Sequence, residues 1–389
     1  MNTYLIGDNM KKLLIFLSLL IIPICTCRAE ELASNAVSAV IMEYSTGKIL
    51  YEKNSNQQLA PASMTKIMTL LLTMEAIDSG KLSMDDMITI SSNAANMGGS
   101  QMFLEPNSTV KVSELIKGVS IASANDAAVA LSETLGGTTE NFVKMMNDRA
   151  KSLGLENTTF VNPHGLDTEG HLSSAHDMAI MARALISHQS ILKFTSTYED
   201  YFNKPDGTRT WLVNTNKLVR FYPGVDGLKT GYTDGAGYCL TATAMKNNIR
   251  FITVVMGEPS SDLRSQETTN LLNFAFNTYK LNTLVDTSKE LGKIKIEKGL
   301  QDYGTLIVKN PITEVGLLND ETPNYTYNLK LNKVKAPVKA GDIVGTIETI
   351  DNEGLIVRED DLTIKESVDK TTFKHTLGNC FKIILSGKL

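Results

Sequence analysis

The sequence predicts an α+β protein, in which an antiparallel sheet covered by a helical block precedes a small all-β sandwich domain. Strand-like apolar runs lie on both sides of five segments whose apolar residues recur at three- and four-residue steps. After residue 282, short β-like runs separated by Gly, Asn, Asp and Pro replace this helical periodicity. We therefore expect one domain over residues 30–281 and a second over residues 282–368.

The strands of the first domain are predicted from apolar runs joined by turn residues. Residues 37–42 are apolar, Ser45-Thr46-Gly47 is a turn signal, and strand-like residues resume at 48–51, which indicates a β-hairpin. Residues 238–245 and 250–256 are predicted to form two further strands around an Asn-Asn turn.

The remaining elements follow from periodicity. The predicted helices cover residues 66–76, 112–122, 126–135, 140–153 and 175–187. Asp262 is the predicted N-cap of a further helix over 263–279. In the second domain, the predicted strands cover residues 294–296, 305–308, 325–331, 343–347 and 355–357.

The composition excludes several classes of protein. Of 389 residues, 42% are hydrophobic and 21% are charged, unlike a disordered chain, a collagen-like fibre or a disulfide-dense miniprotein. The formal net charge is −5, whereas nucleic-acid binders are usually basic, so no nucleic-acid partner is expected. Residues 1–29 carry a net charge of +2 and residues 370–389 carry +4, which leaves −11 on the body between them.

The first basic end has the pattern of a secretory signal peptide over residues 1–29. Lys11 and Lys12 precede an apolar run over 13–24, and Ala29 is a small residue suited to cleavage. The run is shorter than the ~20 apolar residues of a membrane-spanning helix. We therefore expect cleavage after Ala29 and export, and a buried N-terminal helix is the alternative.

The four cysteines divide between this leader and the mature chain. Cys25 and Cys27 lie in the predicted signal peptide, where a lipid anchor is an alternative that the preceding residues fit poorly. Cleavage leaves Cys239 and Cys380, which lie in different predicted regions of the chain. No disulfide framework is therefore expected in the exported protein.

The second basic end is predicted to be an amphipathic helix over residues 369–389. Five apolar residues recur at helical spacing with lysines mostly between them: Phe373, Leu377, Phe381, Ile384 and Leu385, with Lys370, Lys374, Lys382 and Lys388. Such a helix can lie in the interface of an anionic membrane. We therefore expect a peripheral protein at the outer face of the cytoplasmic membrane, and docking of the helix on the protein itself is the alternative.

A first chemical signal opens the first predicted helix. Ser63 and Lys66, in Pro61-Ala62-Ser63-Met64-Thr65-Lys66, are three residues apart and share one helix face. A serine hydroxyl becomes a good nucleophile when a base takes its proton, and a neutral lysine one turn away can do so. Burial and a second nearby cation would lower the pKa of that lysine. On its own, this spacing also occurs in plain helix starts.

Two further motifs make the signal specific. Ser123-Ala124-Asn125 lies between two predicted helices, and Lys229-Thr230-Gly231 precedes the strand predicted from residue 238. A Ser-x-x-Lys, Ser-x-Asn and Lys-Thr-Gly set in this order is the signature of penicillin-recognising serine enzymes. Each fragment is common by chance, but the ordered set in fitting local structure is not.

Other stretches extend the similarity to one family. They are GSQMFL at 99–104, NPHGLD at 162–167, SSAHDMA at 173–179, VDGL at 225–228 and KAPVKAGDIVG at 335–345. With the motifs, they make the chain resemble low-molecular-mass penicillin-binding proteins of the penicillin-binding protein 5 type, which are serine-type D-alanyl-D-alanine carboxypeptidases. The resemblance covers nearly the whole chain. It implies a β-lactamase/transpeptidase-like catalytic domain, a β-sandwich and an amphipathic anchor.

The resemblance also implies a role for each motif residue. Ser63 would attack the D-Ala-D-Ala peptide bond of a peptidoglycan stem peptide, form an acyl-enzyme, and react with β-lactams in the same way. Lys66 would accept the serine proton and later activate water. Ser123, with Lys229, would relay a proton to the leaving amine, and Asn125 would hold the peptide part of the substrate. Lys229 would also keep Lys66 neutral and attract the substrate carboxylate.

Four further residues are expected to bind the substrate. Thr230 would hydrogen-bond its carboxylate, and Gly231 would leave room for its backbone along the strand. The backbone N–H groups of Ser63 and Tyr232 would form the oxyanion hole; the side chain of Tyr232 stands where some relatives have histidine. Arg264 lies where the family carries an arginine near the carboxylate, and a surface arginine opening a helix is the alternative.

No metal or other cofactor is expected. His164, His171 and His176 cluster in sequence, but their spacings do not match a helical metal-binding pair, and no Cys/Glu set accompanies them. We interpret them as residues that shape a loop below the site.

Three alternatives to a carboxypeptidase remain. A non-catalytic wall- or protein-binding module would not need all of the motif side chains, which are intact here. A class A β-lactamase would normally carry Ser-Asp-Asn and a Glu-x-x-x-Asn loop, and residues 150–180 contain no such spacing. Endopeptidase or transpeptidase activity stays open, because the same acyl-enzyme can form from cross-linked strands or pass to an amine.

Overall fold

The computed structural model describes residues 32–204, 207–373, 377 and 378. The predicted signal peptide, residues 1–29, lies outside these residues, as does most of the C-terminal helix predicted over 369–389. Within the described ranges, no helix is long and apolar enough to cross a membrane.

The elements are numbered along the chain. The strands are β1 (Ser38–Glu43), β2 (Ile49–Lys53), β3 (Met87–Thr89), β4 (Thr109–Lys111), β5 (Glu199–Asn203), β6 (Arg209–Val213), β7 (Val225–Thr233), β8 (Gly237–Lys246), β9 (Ile249–Glu258), β10 (Tyr279–Val285), β11 (Gly292–Glu297), β12 (Tyr303–Val308), β13 (Ile312–Leu317), β14 (Thr326–Leu331), β15 (Val334–Lys335), β16 (Ile343–Ile350) and β17 (Ile356–Ile364). The helices are α1 (Lys66–Asp78), α2 (Ser92–Ala95), α3 (Val112–Ile121), α4 (Asn125–Gly136), α5 (Thr139–Ser152), α6 (Ala175–Ser187), α7 (Leu192–Thr195), α8 (Leu218–Phe221) and α9 (Ser261–Thr278).

A five-stranded antiparallel sheet is the middle layer of the N-terminal region. Its order is β2-β1-β9-β8-β7, so strands from the two ends of this region lie side by side. Successive residues of β1 face opposite layers: Val40 and Met42 pack into the helical block, whereas Ala39 and Ile41 pack on the side of α9. The sheet is therefore covered by helices on both faces.

Helix α1 runs through the interior of the helical block. Ten of its thirteen residues are buried, so its apolar residues surround the helix instead of forming one stripe. It packs against α4 and α6, and the turn that precedes it packs against β7. The start of α1 therefore lies where helices and sheet meet.

The C-terminal region is all-β, as the sequence predicts. β10 pairs with β13, and six strands form a second sheet in the order β14-β16-β17-β12-β11-β15. Buried Ile294, Leu306 and Ile364 lie in one apolar cluster of this region. The boundary predicted between residues 281 and 282 falls inside β10, and the division into domains at 30–281 and 282–368 stays a prediction.

The structure corrects three sequence-based predictions. Ser260, in place of Asp262, is the N-cap of α9: it has extended backbone, and its hydroxyl accepts from the backbone N–H of Leu263. β7 was not predicted as a strand, because its Gly, Lys and Thr residues interrupt the apolar pattern. Residues 356 and 357 of the run predicted at 355–357 begin the longer β17, whose charged residues 358–361 pair with β16, whereas residues 362–364 also pair with β12.

Candidate active site

The candidate nucleophile lies on a tight turn before α1. Residues Ala62–Thr65 form one turn of 3₁₀ helix, which the N–H of Met64 begins by donating to the carbonyl of Pro61 at 3.1 Å. Ala62 has a φ of +46°, in the left-handed region that residues with a side chain seldom adopt. The turn places Ser63 ahead of α1, with Lys66 as the first residue of the helix.

Lys66 contacts the hydroxyl of Ser63 inside the protein. Its Nζ lies 3.0 Å from Ser63 Oγ and donates to the carbonyl of His164 at 2.6 Å. The side chain is 0% exposed, and burial, followed by the charge of Lys229, holds its pKa well below the ordinary value, against an opposing effect of Asp126. The neutral amine is therefore favoured, and it can take a proton from Ser63 across this contact.

The second motif lies in the connection between α3 and α4. Ser123 is buried and has a φ of +61°. The backbone N–H of Asn125 donates to Ser100, and its side-chain amide donates to Gly98, both at 2.7 Å. Asn125 Oδ1 is buried and accepts no hydrogen bond from the described residues. Most buried polar atoms have a partner, so an acceptor without a donor among the described residues marks this position as a candidate contact for a substrate.

Asp126 holds the neighbouring loop in place. Its carboxylate accepts backbone N–H bonds from Met102 and Leu104, both at 3.1 Å, and from Ala127 at 2.9 Å. Burial raises the pKa of this carboxyl, and these backbone donors oppose the rise. Asp126 was not predicted as a site residue, although its position directly after the Ser-x-Asn motif could have indicated one.

The third motif lies on β7, at the edge of the central sheet. Lys229 is 1% exposed, and its Nζ donates to the carbonyl of Thr230 at 3.0 Å. Burial, followed by the charge of Arg264, lowers the pKa of Lys229 to about 7. The hydroxyl of Thr230 donates to the hydroxyl of Thr215 at 2.6 Å. The Tyr232 side chain is half exposed, and its hydroxyl donates to Asp234 at 3.0 Å.

Glycine is needed at position 231 for a packing reason that the sequence alone did not indicate. A Cβ atom at this position would lie 2.7 Å from the carbonyl oxygen of Pro61 and 3.1 Å from the Cβ of Ala62. Only glycine lets β7 approach the turn that carries Ser63 this closely. Room for a substrate backbone, the predicted reason, stays a prediction.

Arg264 is buried in the first turns of α9, which the alternative of a surface arginine does not fit. It is 6% exposed; one Nη donates to Ser261 at 3.1 Å, and its Nε is buried without a partner among the described residues. Its guanidinium lies 5.8 Å from the ring centre of Tyr238 and lowers the pKa of Lys229. The carboxylate-binding role of Arg264 stays a prediction.

A loop over residues 162–168 packs against the turn Ala62–Thr65, which carries Ser63 and is called the serine turn below. The side-chain carbonyl of Asn162 accepts from the N–H groups of His164 at 3.2 Å and Gly165 at 2.6 Å, which curls the loop. Gly165 has a φ of +88°, and a Cβ atom there would lie 1.9 Å from the carbonyl oxygen of Ala62. The loop therefore supplies both an acceptor for Lys66 and the space for the turn.

The histidines lie around this loop. Burial lowers the pKa values of His164 and His171 to about 4, so both rings are neutral at neutral pH. In the described part of the chain, no three His, Cys, Asp or Glu side chains are grouped so that they could hold a metal ion. His164 and His171 lie near the turn that carries Ser63, whereas His176 lies in α6, and the interpretation of all three as loop-shaping residues stays a prediction.

The geometry can be compared with known proteins. The family described as D-alanyl-D-alanine carboxypeptidase matches residues 26–260, and the one described as penicillin-binding protein 5, C-terminal domain, matches residues 279–370. The D-alanyl-D-alanine carboxypeptidase DacF of Bacillus subtilis (strain 168) is 48% identical over 360 residues, which cover 91% of this chain and 92% of that protein.

Solved structures of penicillin-binding proteins have folds similar to that of this chain. Penicillin-binding protein 5 of Haemophilus influenzae has a TM-score of 0.69 at 32% identity, over 87% of this chain and 98% of that chain. A penicillin-binding protein of Listeria monocytogenes, in an ampicillin-bound form, has a TM-score of 0.56 at 34% identity, over 62% of this chain and 98% of that chain. The likeness therefore extends to both the N-terminal and the C-terminal regions.

Gly165→Ala should destabilise the protein more than a matched change in the same segment. The new Cβ would meet the Ala62 carbonyl, whereas Gly170, which has a similar positive φ of +77°, has nothing within 4 Å. Both variants carry backbone strain, so their difference isolates the clash, which typically costs ~1–3 kcal/mol. Thermal unfolding checks this: equal melting temperatures for Gly165→Ala and Gly170→Ala would contradict the close packing.

Proposed function

This chain belongs to the D-alanyl-D-alanine carboxypeptidase family, and from that premise we propose that it removes the terminal D-alanine of peptidoglycan stem pentapeptides through an acyl-enzyme on Ser63. The observation that carries the proposal is the 3.0 Å contact between Ser63 Oγ and a buried Lys66 whose neutral form is favoured. A nucleophile and its base are thus in contact before any substrate arrives. The protein is a serine-type enzyme of this family.

In the acylation step, Lys66 takes the proton of Ser63 as Oγ bonds to the carbonyl carbon of the D-Ala-D-Ala bond. The N–H groups of Ser63 and Tyr232 stabilise the oxyanion, and losing one such donor typically costs roughly 100–1000-fold in rate. Lys66 hands this proton on through Ser123, with Lys229, to the leaving nitrogen, the C–N bond breaks to release D-alanine, and Lys66 is neutral again. In deacylation, Lys66 takes a proton from water as the water oxygen bonds to the acyl carbon; the ester C–O bond then breaks, and Lys66 returns the proton to Ser63 Oγ.

Cationic and polar groups around β7 bind the terminal carboxylate of the substrate. Lys229 and Arg264 supply positive charge, and the buried Nε of Arg264, which has no partner among the described residues, supports Arg264 as a donor to this carboxylate. Thr230 donates its hydroxyl to the carboxylate after it turns away from Thr215, its partner in the free protein. Asn125 offers its free Oδ1 to a substrate N–H.

The same acyl-enzyme accounts for inhibition by penicillins. A β-lactam carbonyl meets the nucleophile and the donors that act on the peptide bond, and its ring-opened product stays attached as an ester of Ser63. The Listeria relative, solved in an ampicillin-bound form, supports β-lactam binding by the present chain. Endopeptidase and transpeptidase reactions use the same intermediate; a defined pentapeptide that releases D-alanine with water as the acceptor favours the carboxypeptidase.

Ser63→Ala should abolish both D-alanine release and covalent labelling by a fluorescent penicillin, because no other group carries the acyl chain. Mass spectrometry of the penicillin-treated wild type should find the adduct on Ser63. The matched control is Ser120→Ala, which removes a buried hydroxyl of α3 that has no partner among the described residues. Residual labelling of Ser63→Ala would overturn the nucleophile, and an unlabelled wild type would overturn the enzyme function.

The pH dependence of kcat/KM should be bell-shaped, because it reports the free enzyme. As the pH falls through the lowered pKa of Lys66, the base gains a proton and acylation slows. As the pH rises through about 7, Lys229 loses the charge that attracts the carboxylate, and kcat/KM falls again. Lys229→Arg keeps its charge, so its falling limb should move to higher pH; an unchanged limb would exclude Lys229 as its source.

We also propose that the C-terminal segment holds the exported enzyme at an anionic membrane surface. Phe373 and Leu377, four residues apart, are 81% and 45% exposed. The backbone of Lys370 bridges to Gly299, and the N–H of Thr371 donates to Lys298, so residues 370 and 371 are held on the all-β region. The helix predicted from residue 369 therefore does not begin there.

Truncation after Thr372 should therefore release a folded, active enzyme from membranes and leave penicillin labelling intact. Flotation with vesicles that contain anionic lipid measures the attachment, and vesicles of neutral lipid are the control. Equal flotation of the full and truncated chains would show that residues 373–389 do not attach the protein.

A further inference from the structure

A chain of buried hydrogen bonds runs from Val161, just before the 162–168 loop, through His171 to the turn Ala62–Thr65 that carries Ser63. The backbone N–H of Val161 donates to His171 Nδ1 at 2.9 Å, and His171 Nε2 lies 2.7 Å from Thr65 Oγ1. The Thr65 hydroxyl in turn donates to the carbonyl of Ala62 at 2.7 Å. His171 and Thr65 are 3% and 0% exposed, so water does not compete for these bonds.

The donor and the acceptor of each hydrogen bond in this series follow from the tautomer of His171. Because Nδ1 accepts from Val161, the proton of the neutral imidazole is on Nε2, which must donate to Thr65. The Thr65 hydroxyl, with its lone pair engaged, turns its own proton to the carbonyl of Ala62. The pKa of His171 is lowered to about 4 by burial, so this arrangement persists across the neutral pH range.

The end of the chain is the peptide unit that carries the proposed oxyanion donor. The carbonyl of Ala62 and the N–H of Ser63 belong to one planar trans peptide, so they point in opposite directions. Fixing the carbonyl therefore aims the N–H. The φ of +46° at Ala62 is unfavourable for alanine, so the turn that contains this peptide needs restraints to keep its shape.

We propose that His171 is a positioning residue that, through the hydroxyl of Thr65, orients the Ala62–Ser63 peptide so that the N–H of Ser63 points into the oxyanion hole. His171 touches no reacting atom; it acts on the acylation rate by the geometry of one donor. The inference rests on the proposed function, since it assumes that this N–H stabilises the oxyanion.

Thr65→Val tests the hydroxyl at constant shape. It should lower the acylation rate constant with a fluorescent penicillin by about 10–100-fold. This is no larger than the rate loss expected when a whole oxyanion-hole donor is removed. The dissociation constant of the non-covalent complex and the shape of the pH profile should stay the same, because neither binding nor Lys66 is altered. Thr65→Ser keeps the hydroxyl and should acylate within about threefold of the wild type.

His171 is tested by a pair of variants. Gln can place an acceptor towards Val161 and a donor towards Thr65, so His171→Gln should retain most of the rate, whereas His171→Phe should lower it. If both residues act through the same peptide, the double variant Thr65→Val/His171→Phe should be no slower than Thr65→Val alone. If Thr65→Val does not fold, the proposal is tested by comparing the acylation rates of His171→Gln and His171→Phe, both measured below their melting temperatures.

The matched control, in α1, the helix that begins directly after Thr65, is Thr73→Val. Its hydroxyl is buried and donates to the carbonyl of Thr69 at 2.8 Å, away from the serine turn, so the acylation rate should not change. A wild-type rate for Thr65→Val, an equal loss for Thr73→Val, or a loss confined to binding would each overturn the positioning role. An unlabelled wild type would instead overturn the proposed function, which separates the two failures.

Discussion

Two lysine side chains buried in one cluster are the constraint on which the rest of the site depends. Lys66 and Lys229 are 0% and 1% exposed, and an ammonium group out of water is costly unless it is paired or loses its proton. The carboxylate of Asp126 opposes the loss only in part, because its effect on the pKa of Lys66 is smaller than those of burial and of the Lys229 charge. The burial that makes Lys66 an expensive cation therefore also makes it a usable base.

Holding such a group beside a serine requires close backbone packing on two sides. β7 approaches the turn at Gly231, and the 162–168 loop approaches it at Gly165. The same loop supplies the His164 carbonyl, which accepts a hydrogen bond from Lys66. A side chain at either glycine would meet backbone atoms, which cannot move aside as a flexible side chain does. The turn is thus clamped between a strand and a loop, and its unfavourable φ at Ala62 is a consequence of that fit.

The sequence predicted the parts of this arrangement that local patterns encode. The helix over Ala175–Ser187 and the first hairpin follow from periodicity, and the three motifs identified the polar residues of the site. What it could not predict depends on contacts between distant residues: Thr65 and His171 meet across 106 positions, and Gly231 is explained by a carbonyl 170 residues earlier. β7 was missed for a related reason, since its motif residues replaced the apolar ones that mark a strand.

On the proposed function, the two lysines also make substrate binding act on the base. A substrate carboxylate beside Lys229 favours the charged form of that lysine, because an opposite charge raises the pKa of an amine. A fully charged Lys229 lowers the pKa of Lys66 further, since its charge is the second cause of that shift after burial. Binding and deprotonation are then coupled in both directions, as linkage requires. Lys66 is therefore most fully deprotonated, and able to accept the Ser63 proton, when a terminal carboxylate lies beside Lys229, which favours peptides that end in a free carboxylate.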